Sequence, residues 1–182
     1  DNIELLIIGE EVEKEKWNNK EYSKASAMQN RAYSKCMDLF YELGYYEENG
    51  KALEKYHLNK DSFVLDIGCG IGETTNAIKA GLSVGVDISE SQMRIAAKRI
   101  KKEDINKKFF IVCDAENLPF KENSFDYIFA TDSLHHLPNP VNSLKECKRI
   151  LKKTGKFISI DTNKTSLVGN ITRFIARRSG AD

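Results

Sequence analysis

The strongest chemical signal in the sequence is a glycine-rich segment that follows a short apolar run. Residues 64–67, Val-Leu-Asp-Ile, predict a buried strand, and glycines stand at positions 68, 70 and 72. Glycines let a chain turn tightly, and they leave room for a ligand because they carry no Cβ. The N–H groups at the start of the next helix would face the same turn. The segment predicts a ligand-binding loop, with a plain glycine-rich turn of another α/β protein as the alternative.

Two acidic residues restrict the kind of ligand that this loop can hold. A dinucleotide-binding loop of the pattern G-x-G-x-x-G would have its third glycine where this chain has Glu73. Asp66 precedes the loop, so a pyrophosphate would meet two carboxylates. A ligand with an ammonium or sulfonium group would instead be attracted. The acids therefore disfavour a nicotinamide dinucleotide and favour a cationic ligand.

Two further aspartates follow the next predicted strands. Asp87 ends the second strand, where a carboxylate can accept hydrogen bonds from ribose hydroxyls, and Ile88 beside it can pack on a flat base. The alternative is that Asp87 caps the helix that follows. Asp114 follows the third strand and can accept a hydrogen bond from an exocyclic adenine amine. A plain turn aspartate is the alternative at that position.

Strands that alternate with helices position these residues. β-rich runs predict five strands, at 62–67, 83–86, 109–112, 125–130 and 156–161. Helices are predicted at 73–80, after a Ser89 cap and from Pro140. Such alternation predicts an α/β fold with a mostly parallel sheet and helices on both faces. Ligands of these sheets bind outside the carboxyl ends of the strands, where the candidate residues follow.

Composition limits the class of protein. The chain has 182 residues with 41% hydrophobic and 30% charged residues, which predicts a single globular domain. A net charge of +1 gives no basic field, so a nucleic-acid partner is not expected. No apolar run reaches the length of a membrane span. Four cysteines without a C-x-x-C pair predict reduced thiols in a cytoplasmic protein, and no metal site is expected.

Residues 1–60 differ in character from the rest of the chain. They predict a helical cap or lid segment, which precedes a core at 61–182. After Asp161 only 21 residues remain, and they contain no predicted pair of strands. A sheet edge left open in this way invites pairing with a second chain, so a dimer is expected.

Five motifs occur in order between about Trp17 and Asp161: D-x-G-C-G-x-G, G-V-D-x-S, D-A-E-N-L-P-F, F-D-Y-I and L-H-H-L-P. With this combination the chain resembles class I S-adenosylmethionine-dependent methyltransferases. It is most similar to the type-11 small-molecule group, which includes quinone-biosynthesis C-methyltransferases. The resemblance implies a Rossmann-like sandwich, in-line methyl transfer to a small-molecule acceptor and S-adenosylhomocysteine as the product. The final antiparallel hairpin of the family is predicted to be missing.

The resemblance also implies roles for individual residues that follow the predicted strands. The methionine part of the cofactor would be held by Asp66, Gly68, Cys69, Gly70, Gly72 and Thr131. The adenosine part would be held by Asp87 at the ribose and by Ile88, Asp114 and Ala115 at the adenine. Trp17 and Tyr22 resemble the segment that closes over the site.

Two histidines are the candidates for a general base, which oxygen and carbon nucleophiles usually need. His135 and His136 lie in the L-H-H-L-P motif, and Asp161 at the end of the fifth strand can orient one of them. The alternative is a structural role, because enzymes of this group with different acceptors share the motif.

Three other functions stay open. The chain can be a non-catalytic cofactor-binding module, or a truncated fragment, that scaffolds a partner. An NAD-dependent oxidoreductase is disfavoured by Asp66 and Glu73. An RNA methyltransferase gains little support from a net charge of +1.

Overall fold

Six parallel strands form one sheet in the part of the chain that the computed structural model describes, residues 6–7 and 53–160. The strands are β1 (Leu6–Ile7), β2 (Phe63–Ile67), β3 (Leu82–Asp87), β4 (Lys108–Val112), β5 (Phe125–Thr131) and β6 (Leu151–Ile160). Their order across the sheet is β1-β4-β3-β2-β5-β6, and every neighbouring pair is parallel. The strand order therefore reverses between β2 and β5, the position where parallel α/β sheets bind ligands.

Three α-helices connect the strands between residues 63 and 160. They are α1 (Glu73–Ala77), α2 (Glu90–Lys98) and α3 (Pro140–Ile150). Short 3-10 helices occupy Lys102–Asp104 and Leu134–His136. Ser89 is the N-cap of α2 and Pro140 is the first residue of α3, as the sequence predicts. None of the helices between residues 53 and 160 has the length and apolarity that crossing a membrane requires.

The helix after the glycine loop is shorter than the sequence predicts. It ends at Ala77 rather than Ala80, because Ile78 adopts an extended conformation with φ −62° and ψ 127°. Ile78 is buried in a cluster with Leu53, Val64 and Phe129, so its extended backbone places the side chain in the core. Burial of an isoleucine contributes about 1.5–3 kcal/mol, which exceeds what further helical turns of this sequence would provide.

Apolar residues cover both faces of the sheet. On β4, Ile111 packs in one cluster and Phe110 and Val112 in another, as expected when successive side chains point to opposite faces. Cys147 and Ile150 of α3 join the cluster of Ile111. Met93, Ala96 and Ala97 of α2 join the cluster of Phe110. The predicted parallel sheet with helices on both faces is confirmed.

Two predictions from the sequence differ from the structure. Leu6–Ile7, within the segment predicted to be helical, forms a strand paired with β4, which satisfies backbone groups that this edge would otherwise expose. The strand predicted at 156–161 begins earlier, at Leu151, and contains a bulge, since Leu151 lies opposite Phe125 whereas Lys156 lies opposite Tyr127. The rest of the cap segment before residue 53 lies outside the described residues. The segment after residue 160, which bears on the missing hairpin and the open edge, lies outside them as well.

The Asp126 carboxylate joins three strands near their amino ends. Its Oδ2 accepts a hydrogen bond of 2.9 Å from the Phe63 N–H on β2. The Lys152 ammonium on β6 lies 2.9 Å from both carboxylate oxygens and 5.4 Å from the centre of the Phe63 ring. Burial raises the pKa of Asp126, but the Phe63 N–H and Lys152 together bring it below its usual range.

Replacing Asp126 should test this contribution to stability. We expect Asp126→Asn to lower the free energy of unfolding by about 1 kcal/mol at neutral pH, since a partly exposed hydrogen bond to a charged group contributes about that much. The loss should shrink as the pH falls from about 4 through the lowered pKa of the folded parent, because the carboxyl then becomes protonated in both states. Urea unfolding of both proteins across this range measures it; Asp61→Asn, at an exposed carboxyl, is the control. A difference that does not change with pH would contradict the assignment.

Candidate functional site

The loop after β2 and the loop after β5 pack directly on each other at the switch point. The Ser133 hydroxyl donates a 2.7 Å hydrogen bond to the Ile67 carbonyl oxygen. A Cβ at Gly68 would lie only 2.6 Å from the Ser133 Cβ, so this close approach requires a glycine. Ser133 is buried. Local sequence patterns do not reveal its contact, because Ser133 and Ile67 are 66 positions apart.

The glycines of the first loop serve the packing of the protein itself. Gly68, Gly70 and Gly72 have φ values of 63°, 53° and 79°, which disfavour other residues. A Cβ at Gly72 would also lie 2.7 Å from both the Ala96 Cβ and a carbon of the Phe110 ring. Packing is thus a sufficient reason for glycine at 68 and 72. Beside Gly70, the one described group that limits the space is the Gln92 side chain, at 3.0 Å.

Asp87 connects this loop to α2. Its Oδ2 accepts a 2.9 Å hydrogen bond from the Gly70 N–H, and its Oδ1 accepts one of 2.8 Å from the Ser89 N–H. Burial raises the pKa of Asp87, and the two N–H groups oppose that increase. A carboxylate has about four acceptor positions, so ribose hydroxyls can bind in addition to these two donors.

Asp66 is almost fully buried, with 1% of its surface exposed. Its Oδ2 accepts a 2.7 Å hydrogen bond from the Thr75 hydroxyl, in the first turn of α1. Gly72 occupies the N-cap of α1 without a capping side chain, so Asp66 supplies an acceptor to this turn from the end of β2. Burial raises the pKa of Asp66 to about 7, although the Thr75 hydroxyl and amide lower it; the charge of Asp87 adds to the increase.

The adenine-side candidates lie at the carboxyl ends of β3 and β4. Ile88 and Ala115 are half-buried, which leaves part of each side chain accessible to a flat ring. Asp114 Oδ1 accepts a 2.9 Å hydrogen bond from the Glu116 N–H, which agrees with the alternative of a turn aspartate. The structure thus brings these residues to the carboxyl-terminal edge of the sheet, where Asp87 and the glycine loop also lie.

Cys69 and Thr131 differ in how their polar atoms are satisfied. The Cys69 Sγ lies 3.4 Å from the Met93 Sδ, and burial raises its thiol pKa well above the usual range, so Cys69 packs as a neutral thiol. The Thr131 hydroxyl at the end of β5 is buried and has no hydrogen-bond partner among the described residues. A buried hydroxyl without a partner is costly, so this atom is suited to a polar ligand group.

The histidine candidates are exposed. His135 and His136 lie in the 3-10 helix after β5, and their ring centres are 4.0 Å apart. They lie on the connection that leaves the carboxyl end of β5, the same edge of the sheet as the other candidates. Trp17, Tyr22 and Asp161 lie outside the described residues, so their predicted roles stay predictions.

Glu73, which the sequence predicts to repel a pyrophosphate, has a cationic partner in the structure. The Arg99 guanidinium after α2 forms an ion pair with it. The local charge of Glu73 is therefore largely offset. The distance of 26 positions between the two residues hides this pair from sequence patterns. No group of three or more His, Cys, Asp or Glu side chains within 53–160 is arranged to hold a metal ion.

Comparisons with known proteins address the same region. A family model described as a methyltransferase domain matches residues 65–159, just over half of the chain. This range contains the glycine loop, the ends of β2 to β5 and the histidines. The match agrees with the resemblance that the motifs indicate.

Individual relatives and a solved structure are similar to the same part of the chain. An uncharacterized protein of Methanocaldococcus jannaschii is 35% identical over 75% of this chain and 56% of its own length. A demethylmenaquinone methyltransferase of a Geobacillus species is 27% identical over 64% of this chain and 52% of its own length. A solved SAM-dependent methyltransferase of Thermotoga maritima has a TM-score of 0.66 at 26% identity, covering 85% of this chain and 70% of that one. The chain spans about half the length of the curated relatives it matches.

The buried Asp66 carboxyl predicts an unusual dependence of stability on pH. Its pKa is about 7 in the folded protein and near 3.8 in the unfolded chain, so the folded state holds the proton more tightly between these values. Through this group, stability is greatest below about pH 4 and falls as the pH rises to about 7. In Asp66→Asn this loss is absent, so the variant should gain on the parent by up to on the order of 4 kcal/mol over that range. Urea unfolding at about pH 5 and pH 8 tests this, with Asp61→Asn as the matched control; parallel pH curves for Asp66→Asn and the parent would refute it.

Proposed function

Since the chain belongs to the methyltransferase family whose model covers residues 65–159, we propose that it is an S-adenosylmethionine-dependent methyltransferase that acts in line on a small-molecule acceptor. S-adenosylmethionine is the cofactor of this family. The proposal rests on one observation, that the carboxyl ends of β2, β3 and β5 lie at the same edge of the sheet. There Asp87 fixes the Gly70 amide, and the buried Thr131 hydroxyl is available to a ligand.

The residues of this edge fit the parts of the cofactor. Asp87 offers carboxylate oxygens to the ribose, and the half-buried Ile88 and Ala115 offer apolar surface to the adenine. Asp114 would accept from the adenine amine. The loop at Gly68–Gly72, including Cys69, and Thr131 would hold the methionine part. Asp66 would act on that part through the turn it stabilises, and its charge favours a cationic ligand.

The protein's own contribution to the reaction is binding, alignment and removal of a proton. S-adenosylmethionine supplies a methyl group on a sulfonium, which is already a good leaving group. The chain has to hold the acceptor in line with that methyl group and exclude water. For an oxygen or carbon acceptor, His135 or His136 would take the proton, and Asp161 would orient one of them. Trp17 and Tyr22 would close over the bound molecules.

Several observations support a small acceptor. The demethylmenaquinone methyltransferase is named for a small molecule, and the net charge of +1 offers no basic field for RNA. Cys69, Cys113 and Cys147 are free thiols in the described part of the chain, which supports a cytoplasmic location.

Titration calorimetry tests the cofactor assignment directly. We expect S-adenosylhomocysteine and S-adenosylmethionine to bind saturably, and NAD not to bind. Asp87→Asn should weaken S-adenosylhomocysteine binding about tenfold, because it removes a charged acceptor from the ribose hydroxyls. Asp126→Asn makes the same change at the amino end of β5 and should leave the affinity unchanged. Binding of NAD alone would favour an oxidoreductase, and equal affinities for parent and Asp87→Asn would refute the ribose assignment.

The role of the histidines requires a separate measurement. In His135→Ala and His136→Ala, cofactor binding is checked first, and release of S-adenosylhomocysteine is then measured over a panel of phenolic and quinol acceptors. We expect one variant to lose about 10²- to 10⁴-fold in turnover while its cofactor affinity stays the same. Unchanged turnover in both variants would exclude them as the base. Binding without turnover of any acceptor by the parent would favour the non-catalytic module.

A further inference from the structure

The α1 helix is too short to be stable by itself. It has five residues, Glu73–Ala77, and follows the glycine loop directly. Isolated helices need roughly 12–15 residues to be even marginally stable in water. The first and last backbone groups of so short a helix also lack helical partners. Contacts from elsewhere in the protein must therefore hold α1 in place.

Buried ionisable side chains from two different strands supply such contacts to two adjacent residues of α1. The Asp66 carboxylate from β2 accepts a hydrogen bond from the Thr75 hydroxyl, in the middle of the helix. The Lys108 ammonium from β4 donates to the carbonyl oxygen of the next residue, Asn76. Lys108 is only 6% exposed, and its Nζ also lies 3.2 Å from Asp104 Oδ2. Lysines are rarely buried so deeply without a partner, and here the ammonium is held between an anion and a helix carbonyl.

Lys108 lies far along the sheet from the candidate site. It is the first residue of β4 and pairs in register with Ser83 near the start of β3, whereas Asp87 ends β3. A side chain at the amino end of these strands is not placed to contact a ligand at their carboxyl ends. Burial lowers the pKa of Lys108, and Asp104 opposes that shift by stabilising the charged form.

Lys108 is nevertheless connected to the glycine loop through α1. The Asn76 carbonyl accepts from Lys108, and the Asn76 N–H donates a 2.8 Å hydrogen bond to the Gly72 carbonyl. Gly72 is the last glycine of the loop. A displacement of Asn76 would therefore also displace Gly72, because a helical hydrogen bond joins the two residues.

We propose that Lys108 is a positioning residue for the methionine half of the cofactor site, which it acts on through α1. This inference rests on the proposed function, since it takes the loop at Gly68–Gly72 as the segment that holds the methionine part. The adenosine half depends on side chains at the ends of β3 and β4. Loss of Lys108 should therefore weaken recognition of the methionine part and leave recognition of adenosine largely intact.

Calorimetry with S-adenosylhomocysteine and with adenosine separates the two halves. Lys108→Met keeps the length and apolar stem but removes the ammonium. We expect it to weaken S-adenosylhomocysteine binding on the order of tenfold and adenosine binding less than about twofold. Lys108→Arg, which keeps the charge and the donors, should restore most of the affinity. Lys107→Met changes an exposed neighbour and should bind both compounds like the parent.

A second variant covers the case that Lys108→Met does not fold. Asp104→Asn removes the anion beside Lys108, and a selective loss of S-adenosylhomocysteine affinity should again appear, though smaller. Hydrogen exchange should show faster exchange of the Asn76 amide in the folded variants and unchanged exchange on β5. Unchanged S-adenosylhomocysteine affinity, or an equal loss for both compounds, would overturn the proposal. Failure of the proposed function is distinguishable, because the parent itself would then bind no S-adenosylhomocysteine.

Discussion

The Asp87 carboxylate is the contact on which the candidate site depends. One oxygen holds the Gly70 amide and the other holds the Ser89 amide at the start of α2. A loop after β2 and a helix after β3 are thus fixed to one half-buried group at the end of β3. Because the carboxylate is partly removed from water, each of these hydrogen bonds is stronger than it would be at the surface. The geometry of the glycine loop follows from this shared acceptor.

Two more deeply buried ionisable groups, Asp66 and Lys108, extend the same principle to α1. Burial raises the pKa of Asp66 and lowers the pKa of Lys108, so it favours the neutral form of each. Such groups are costly in a core, and they are tolerated here because each satisfies a group of a helix that cannot satisfy itself. The hydrogen bonds of these two groups therefore hold α1 in place, and the pH dependence of the protein's stability is expected to reflect that segment.

Local patterns in the sequence predicted five of the six strands, the starts of α2 and α3 and the carboxyl-terminal sheet edge that carries the candidate residues. These features depend on neighbours in the chain, such as Ser89 before α2 or Pro140 at the start of α3. The missed features depend on partners that are distant in sequence. Ser133 binds Ile67 across 66 positions, and Lys108 binds Asn76 across 32. The early end of α1 has the same origin, since tertiary burial of Ile78 overrides the helical pattern.

The packing of this chain accounts for two glycines of the loop. A Cβ at Gly68 would clash with Ser133, and one at Gly72 with Ala96 and Phe110, so the packing of this chain requires glycine at both positions. Glycine at 68 and 72 is therefore explained without reference to the acceptor. By contrast, His135 and His136 are exposed on the connection that follows β5. Under the proposed function, changes in that connection would alter the acceptor chemistry while the edge formed by Asp87 and the glycine loop stays intact, because functional residues on loops can vary on a constant scaffold.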